Sequence, residues 1–145
     1  MQDRSDIVGE MTSAVDEAAV FFKSHIAAPT ANGTWGPHEA IAHLLYWHKF
    51  ALDVVRAGMH DVGPSRPPGT QDEINAIAPR EQRSMSTEEL VERLIETNRD
   101  LSAAYSQLPD PNVKVMIRGN GEIASAMQTL VNFTIHIRRH IAELG

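Results

Sequence analysis

The chain has 145 residues, 42% of them apolar and 22% charged, which are ordinary proportions for a globular protein and give enough chain to bury a core as one domain over residues 1–145. Its formal net charge is -6 and its isoelectric point about 5.6, so it has no basic surplus to displace counterions, and no nucleic-acid partner is expected. It contains no cysteine, which excludes disulfides, thiolate metal sites and a cysteine nucleophile.

The first segment, from about Gln2 to Ile26, places Ile7, Met11, Val15, Ala18, Ala19 and Phe22 at spacings of three and four, the pattern of an amphipathic helix. Asp3, Asp6 and Glu10 favour its N-terminal end, and Pro29 with the polar residues after it stops it. The same stretch has no long apolar run, so neither a signal peptide nor a membrane span is expected, and the cytoplasm is the default compartment. His25, near the helix end, reads as a surface residue favoured by the C-terminal dipole.

A second helix is expected from Thr34-Trp35-Gly36-Pro37 to about Ala57, with Pro37 in the first turn, where its missing N–H costs nothing. Ile41, Leu44, Leu45, His48, Leu52 and Val55 form one stripe, and His43, Trp47, Phe50 and Val54 form another. Two apolar faces require two neighbours. Residues 58–69, rich in glycine and proline, read as a loop forming a lid, a mouth or a mobile edge, followed by a short helical turn over Asp72 to Ala78. Within the loop, His60 is expected to be exposed.

Ser86, with Glu89 three residues on, is a helix-capping pair. Leu90, Leu94, Thr97, Leu101, Ala104 and Leu108 then keep helical period until Pro109 and Pro111, with Glu92, Arg93, Glu96 and Arg99 on the wet face. Val113, Val115 and Ile117 alternate with Lys114, Met116 and Arg118 ahead of Gly119-Asn120-Gly121, which suggests one extended segment or a hairpin arm. The last helix is expected from about Ile123, with Ile123, Leu130, Phe133, Thr134, Ile137, Ile141 and Leu144 facing the core. The adjacent Arg138 and Arg139 read as a solvated helix face. Four long helices with at most one short strand pair make an all-α protein, and a four-helix bundle is its natural form, with a site built from inward side chains.

His136 and His140 stand one helical turn apart on one face. They supply two metal ligands, and a usable site needs a third. His43 and His48 on the second helix are both candidates, and spacing does not choose between them. Three imidazoles with open positions suit Zn²⁺, and also Ni²⁺ or Fe²⁺.

The stretch Trp35-Gly36-Pro37-His38-Glu39-Ala40-Ile41-Ala42-His43-Leu44 resembles the start of the second helix in the DinB/YfiT-like superfamily, which typically shows a Trp, a short turn, and a His eight residues after the Trp, as His43 follows Trp35 here. The family's other two ligands form an HxxxH on the fourth helix, matching His136 and His140. Asp72-Glu73-Ile74-Asn75, the capped third helix and Leu108-Pro109-Asp110 are similar in layout, so the resemblance spans nearly the whole chain. It implies an up-down-down-up bundle with a divalent metal, zinc or nickel, held at one end by His43, His136 and His140. His48 then either positions one of those ligands or faces the substrate. Residues 42–48 look most like the DfsB-like branch. Relatives include maleylpyruvate isomerases and transferases that use bacillithiol, mycothiol or glutathione, so a low-molecular-weight thiol is an implied cofactor, although no stretch here matches a thiol-binding site.

These readings point to a metal-dependent enzyme acting on a small molecule, in transferase or hydrolase style. The alternatives are a non-catalytic small-molecule binder or stress protein, with Tyr46, Trp47 and Phe50 lining a pocket, and a homodimeric interaction module using the doubly apolar second helix. Glu39 reads as a solvent-facing acid of the first turn, or else as the acceptor for a ligand ring N–H.

Overall fold

The computed structural model describes residues 3–28, 35–70, 72–76 and 83–144. Among these residues the chain forms α1 (Arg4–Ser24), α2 (Pro37–Gly58), α3 (Thr87–Gln107), β1 (Lys114–Ile117), β2 (Ile123–Ser125) and α4 (Ala126–Leu144), with a helical turn over 72–76 between α2 and α3. Residues 77 and 78, expected in that turn, lie outside the described residues.

Each helix starts where its sequence satisfies otherwise orphaned N–H groups. Asp3 accepts the Asp6 N–H at 2.9 Å, and Ser86 Oγ accepts the Glu89 N–H at 3.1 Å. At α2 the cap comes from Glu39, whose carboxylate accepts the Gly36 N–H at 3.0 Å. The α1 stripe from Ile7 to Phe22 is buried, and α2 is buried on several sides, as its two stripes require.

The packing fixes the topology. One apolar cluster joins Ile7 and Met11 at the start of α1, Val54 and Val55 at the end of α2, Leu101 and Tyr105 at the end of α3, and Leu130 early in α4. A second cluster joins Phe22 at the end of α1, Ile41 and Leu44 at the start of α2, Leu90 and Leu94 at the start of α3, and Ile137 late in α4. Helices α1 and α4 therefore run one way and α2 and α3 the other, the up-down-down-up arrangement. Because α2 and α3 point the same way, their connection has to travel the length of the bundle, which accounts for its length.

The hairpin pairs β1 with β2 antiparallel, Met116 opposite Ala124 and Ile117 opposite Ile123. The register shifts between Lys114 and Met116, so Val115 and Met116 are both buried and the expected alternation breaks there. Gly121, at φ 87°, closes the turn between the strands. Residues 123–125, expected as the first turn of the last helix, are strand, and Ile123 is 50% exposed rather than in the core. Their backbone is taken up by β1, and α4 begins only afterwards.

The loop after α2 lies along the free edge of β1. Ser65 donates its N–H to Val115 O at 3.0 Å and accepts from Ile117 N at 2.9 Å, covering an edge that would otherwise be open. Gly58 lets the hairpin close on the end of α2: a Cβ there would sit 2.9 Å from Val115 Cγ1. At the same end of the bundle, Arg4 caps α3 through Ser106 O at 3.0 Å. No helix among the described residues is long and apolar enough to cross a membrane.

Candidate metal centre

The end of the bundle where α2 begins is tied down before any histidine is placed. His38 donates from Nε2 to Met85 O at 2.7 Å, fixing the first turn of α2 to the segment that leads into α3. Glu39 is 6% exposed and occupied by the Gly36 cap. This overturns the solvent-facing reading. It does not serve His43 either, because His43 Nδ1 has no hydrogen-bond partner among the described residues. A helix-capping carboxylate at the third position explains Glu39 better than either expectation.

Of the four histidines singled out, three converge. His43 comes from the second turn of α2, and His136 and His140 from the last half of α4. The Nε2 atoms of His43 and His136 are 3.1 Å apart, and those of His136 and His140 are 3.0 Å apart. One ligand atom from each residue lies within 4.8 Å of the others. His43 is 2% exposed, and the other two are half-buried.

The electrostatics keep these rings neutral. Burial, reinforced by the neighbouring imidazoles, pushes His43 down to about 3. Burial and the charges of His140 and Arg139 take His136 to about 4. His140 is also lowered, chiefly by burial, although Glu143 pulls the other way with its carboxylate 3.8 Å from Nδ1. A proton is therefore poorly held, while three nitrogen lone pairs sit close together. A divalent cation answers that arrangement. At metal–nitrogen bonds of about 2.0–2.1 Å, ligand nitrogens stand about 3.3 Å apart in a tetrahedron and about 2.9 Å apart in an octahedron, a range that brackets the two measured contacts. Three imidazoles holding an ion would leave positions open for water or substrate.

Trp35, expected only as a marker of the helix start, covers this cluster. Its ring lies edge-on to His43 with centroids 5.0 Å apart and stacks over His140 at 6.0 Å. His48 is not part of the cluster. It is buried against α3, its Nε2 3.1 Å from Asn98 Oδ1, and Asn98 in turn donates to Thr12 Oγ1 of α1 at 3.3 Å. Burial lowers His48 to about 4 despite that bond. His25 stacks on Phe21 and His60 is exposed, and neither belongs to the cluster.

A cleft of about 710 Å³ opens beside His136, between α4, the hairpin and the segments 66–70 and 73–74. Trp47 lines it, as the aromatic-pocket reading expected, but Tyr46 and Phe50 do not. Its walls include Arg66, Arg118 and Arg139, which the sequence did not connect with one another or with a pocket. The Arg138–Arg139 pair divides: Arg138 is not a free surface cation but bridges Glu10 and Glu17 of α1, at 2.9 Å each, while Arg139 faces the cleft. Nothing in the linear spacing of 66, 118 and 139 announces a common surface, since three separate elements carry them.

Residues 10–144 match the DinB superfamily. A search of curated proteins by sequence gives no match. Two solved structures are similar in fold: the mycothiol-dependent maleylpyruvate isomerase, at TM-score 0.76 and 12% identity, and a histidine-to-alanine mutant of that enzyme, at 0.77 and 11%. Each comparison covers 99% of this chain and 61% of the other, so the chain spans about three-fifths of the length of the proteins it resembles.

Proposed function

The chain belongs to the DinB superfamily, and from that premise we propose that it is a metal-dependent enzyme acting on a small molecule, with His43, His136 and His140 holding a divalent ion, zinc or nickel. The observation that carries this reading is the convergence of three Nε2 atoms, with contacts of 3.0 and 3.1 Å, beside a cleft of about 710 Å³. Clefts of that size suit small organic molecules. The ion would supply Lewis acidity, lowering the pKa of a water or thiol so that a nucleophile exists near neutral pH.

The chain's own residues do the rest. His43 is held rigidly by buried helix packing, and His136 and His140 are set one turn apart by α4. Trp35 keeps bulk water off the rings of His43 and His140. His136 is the one of the three that also borders the cleft, so a substrate there lies next to the reacting end. The structural relatives are mycothiol-dependent by name. A low-molecular-weight thiol is accordingly proposed as the second substrate of a transfer reaction, with hydrolysis as the variant in which water takes its place.

Metal analysis of untagged protein tests the reading. After chelation and dialysis, about one equivalent of Zn²⁺ or Ni²⁺ should rebind, and the His43→Ala, His136→Ala and His140→Ala variants should each lose it. Uptake below about a tenth of an equivalent by the unsubstituted chain would remove the proposal.

The size of the cleft supports a second reading, a non-catalytic binder of small molecules. The two separate on His43→Ala, which lies outside the cleft lining. Undiminished binding of a small molecule by a variant that holds no metal would favour the binder.

A further inference from the structure

The cleft is positively charged in a protein whose net charge is -6. Arg66 comes from the loop after α2, Arg118 from the end of β1 and Arg139 from α4, and all three line it. Arg66 and Arg139 make no ion pair among the described residues. Arg118 meets Glu122 at 3.5 Å, an exposed pair that competes weakly for the guanidinium. The one acidic side chain among the described lining residues, Glu73, accepts the Thr70 N–H at 3.1 Å, which favours its ionised form, so the lining carries three guanidiniums against one carboxylate. The same walls include the rings of Trp47 and Phe133, with His136 beside them.

We propose that this cleft binds a small organic acid with an apolar body. Its carboxylate lies at the arginines, whose planar forks match carboxylate geometry, and its body lies along Trp47 and Phe133. An acid held there lies beside His136, which lines the same cleft. A reactive role for the bound acid rests on reading the three-histidine cluster as the reaction centre, whereas the preference for an anion does not.

The test uses phenylbutyrate and its neutral amide, phenylbutyramide, as probes, titrated calorimetrically into untagged protein before and after zinc loading. The acid should bind at least about tenfold more tightly than the amide, which is a readily measured difference. The exposed double variant Arg66→Gln/Arg139→Gln should bring the two within about twofold, and raised salt should weaken the acid alone. Equal binding of acid and amide, no binding of either, or a preference untouched by the double substitution overturns the proposal. An acid preference in protein that takes up no zinc supports the cleft and removes the metal reading. Zinc uptake without an acid preference does the reverse.

Discussion

The Nε2 atoms of His43 and His136 lie 3.1 Å apart although 93 residues separate them in the chain. Each comes from a helix packed on the other, at the end where the Phe22, Ile41 and Leu90 cluster closes the core. The site is therefore a product of bundle packing, and an ion bound there would tie α2 to α4. For a ligand at 100 times its dissociation constant this linkage stabilises by about 2.7 kcal/mol, or roughly 5–10 °C for a chain of this size. Zinc should raise the melting temperature of chelator-treated protein by that amount and leave His43→Ala unmoved. A melting curve indifferent to zinc in the unsubstituted chain would count against a site between these helices.

The buried His48 sets an acid limit on stability. Its pKa in the fold is about 4, against about 6.5 when unfolded, so between those values the unfolded chain binds the extra proton. Stability from this group is complete above about pH 6.5 and is lost as the pH falls toward 4. From pH 7 to pH 5 the loss is about 2 kcal/mol. His48→Gln keeps a donor for Asn98 but does not titrate. In urea unfolding with chelator present, the variant should lose about 2 kcal/mol less over that interval. Parallel losses in both proteins would mean that His48 does not carry the effect.

Gly58 is a packing requirement of the hairpin. A Cβ there would stand 2.9 Å from Val115 Cγ1 and 3.3 Å from Val113 Cγ1. Val115 is buried and stiff at its branched Cβ, so it cannot swing aside. Gly58→Ala gains at most about 1 kcal/mol of helix propensity, less at a helix end, while overpacking costs about 1–3 kcal/mol. A net loss of about 1 kcal/mol is expected in urea unfolding, partly restored by adding Val115→Ala. A Gly58→Ala protein at least as stable as its parent would show that the hairpin yields.

The helices were legible because their apolar stripes repeat locally, as from Ile7 to Phe22 and from Leu90 to Leu108. The histidine set was legible only in part. HxxxH is a local signal, but His43 is distinguished from His48 only by the resemblance to the DinB/YfiT-like pattern, in which a His follows the Trp by eight residues. Ile123-Ala124-Ser125 was misread because three residues carry too little period to separate a strand from a helix start, and their pairing with β1 is non-local. Glu39 was misread because a cap and a solvated acid look alike until burial is known. The cationic cleft was invisible for a similar reason: Arg66, Arg118 and Arg139 share a surface only after the chain folds.

Trp35 supplies the last test, because it touches the imidazoles yet offers no ligand. It is 38% exposed, so little of the fold depends on it, but its ring shields His43 and His140 from water. Apolar cover around a metal site governs solvent access and local dielectric, and losing a supporting residue typically costs about 10–100-fold in metal affinity. Trp35→Ala should therefore weaken zinc binding by roughly tenfold while shifting the unfolding midpoint of metal-free protein by no more than about 0.5 kcal/mol. Trp35→Phe, which keeps an aromatic face over the rings, should retain most of the affinity. Equal zinc affinities for the alanine variant and the unsubstituted chain would reduce Trp35 to a landmark at the start of α2, and a large stability loss in metal-free Trp35→Ala would assign it to the core instead.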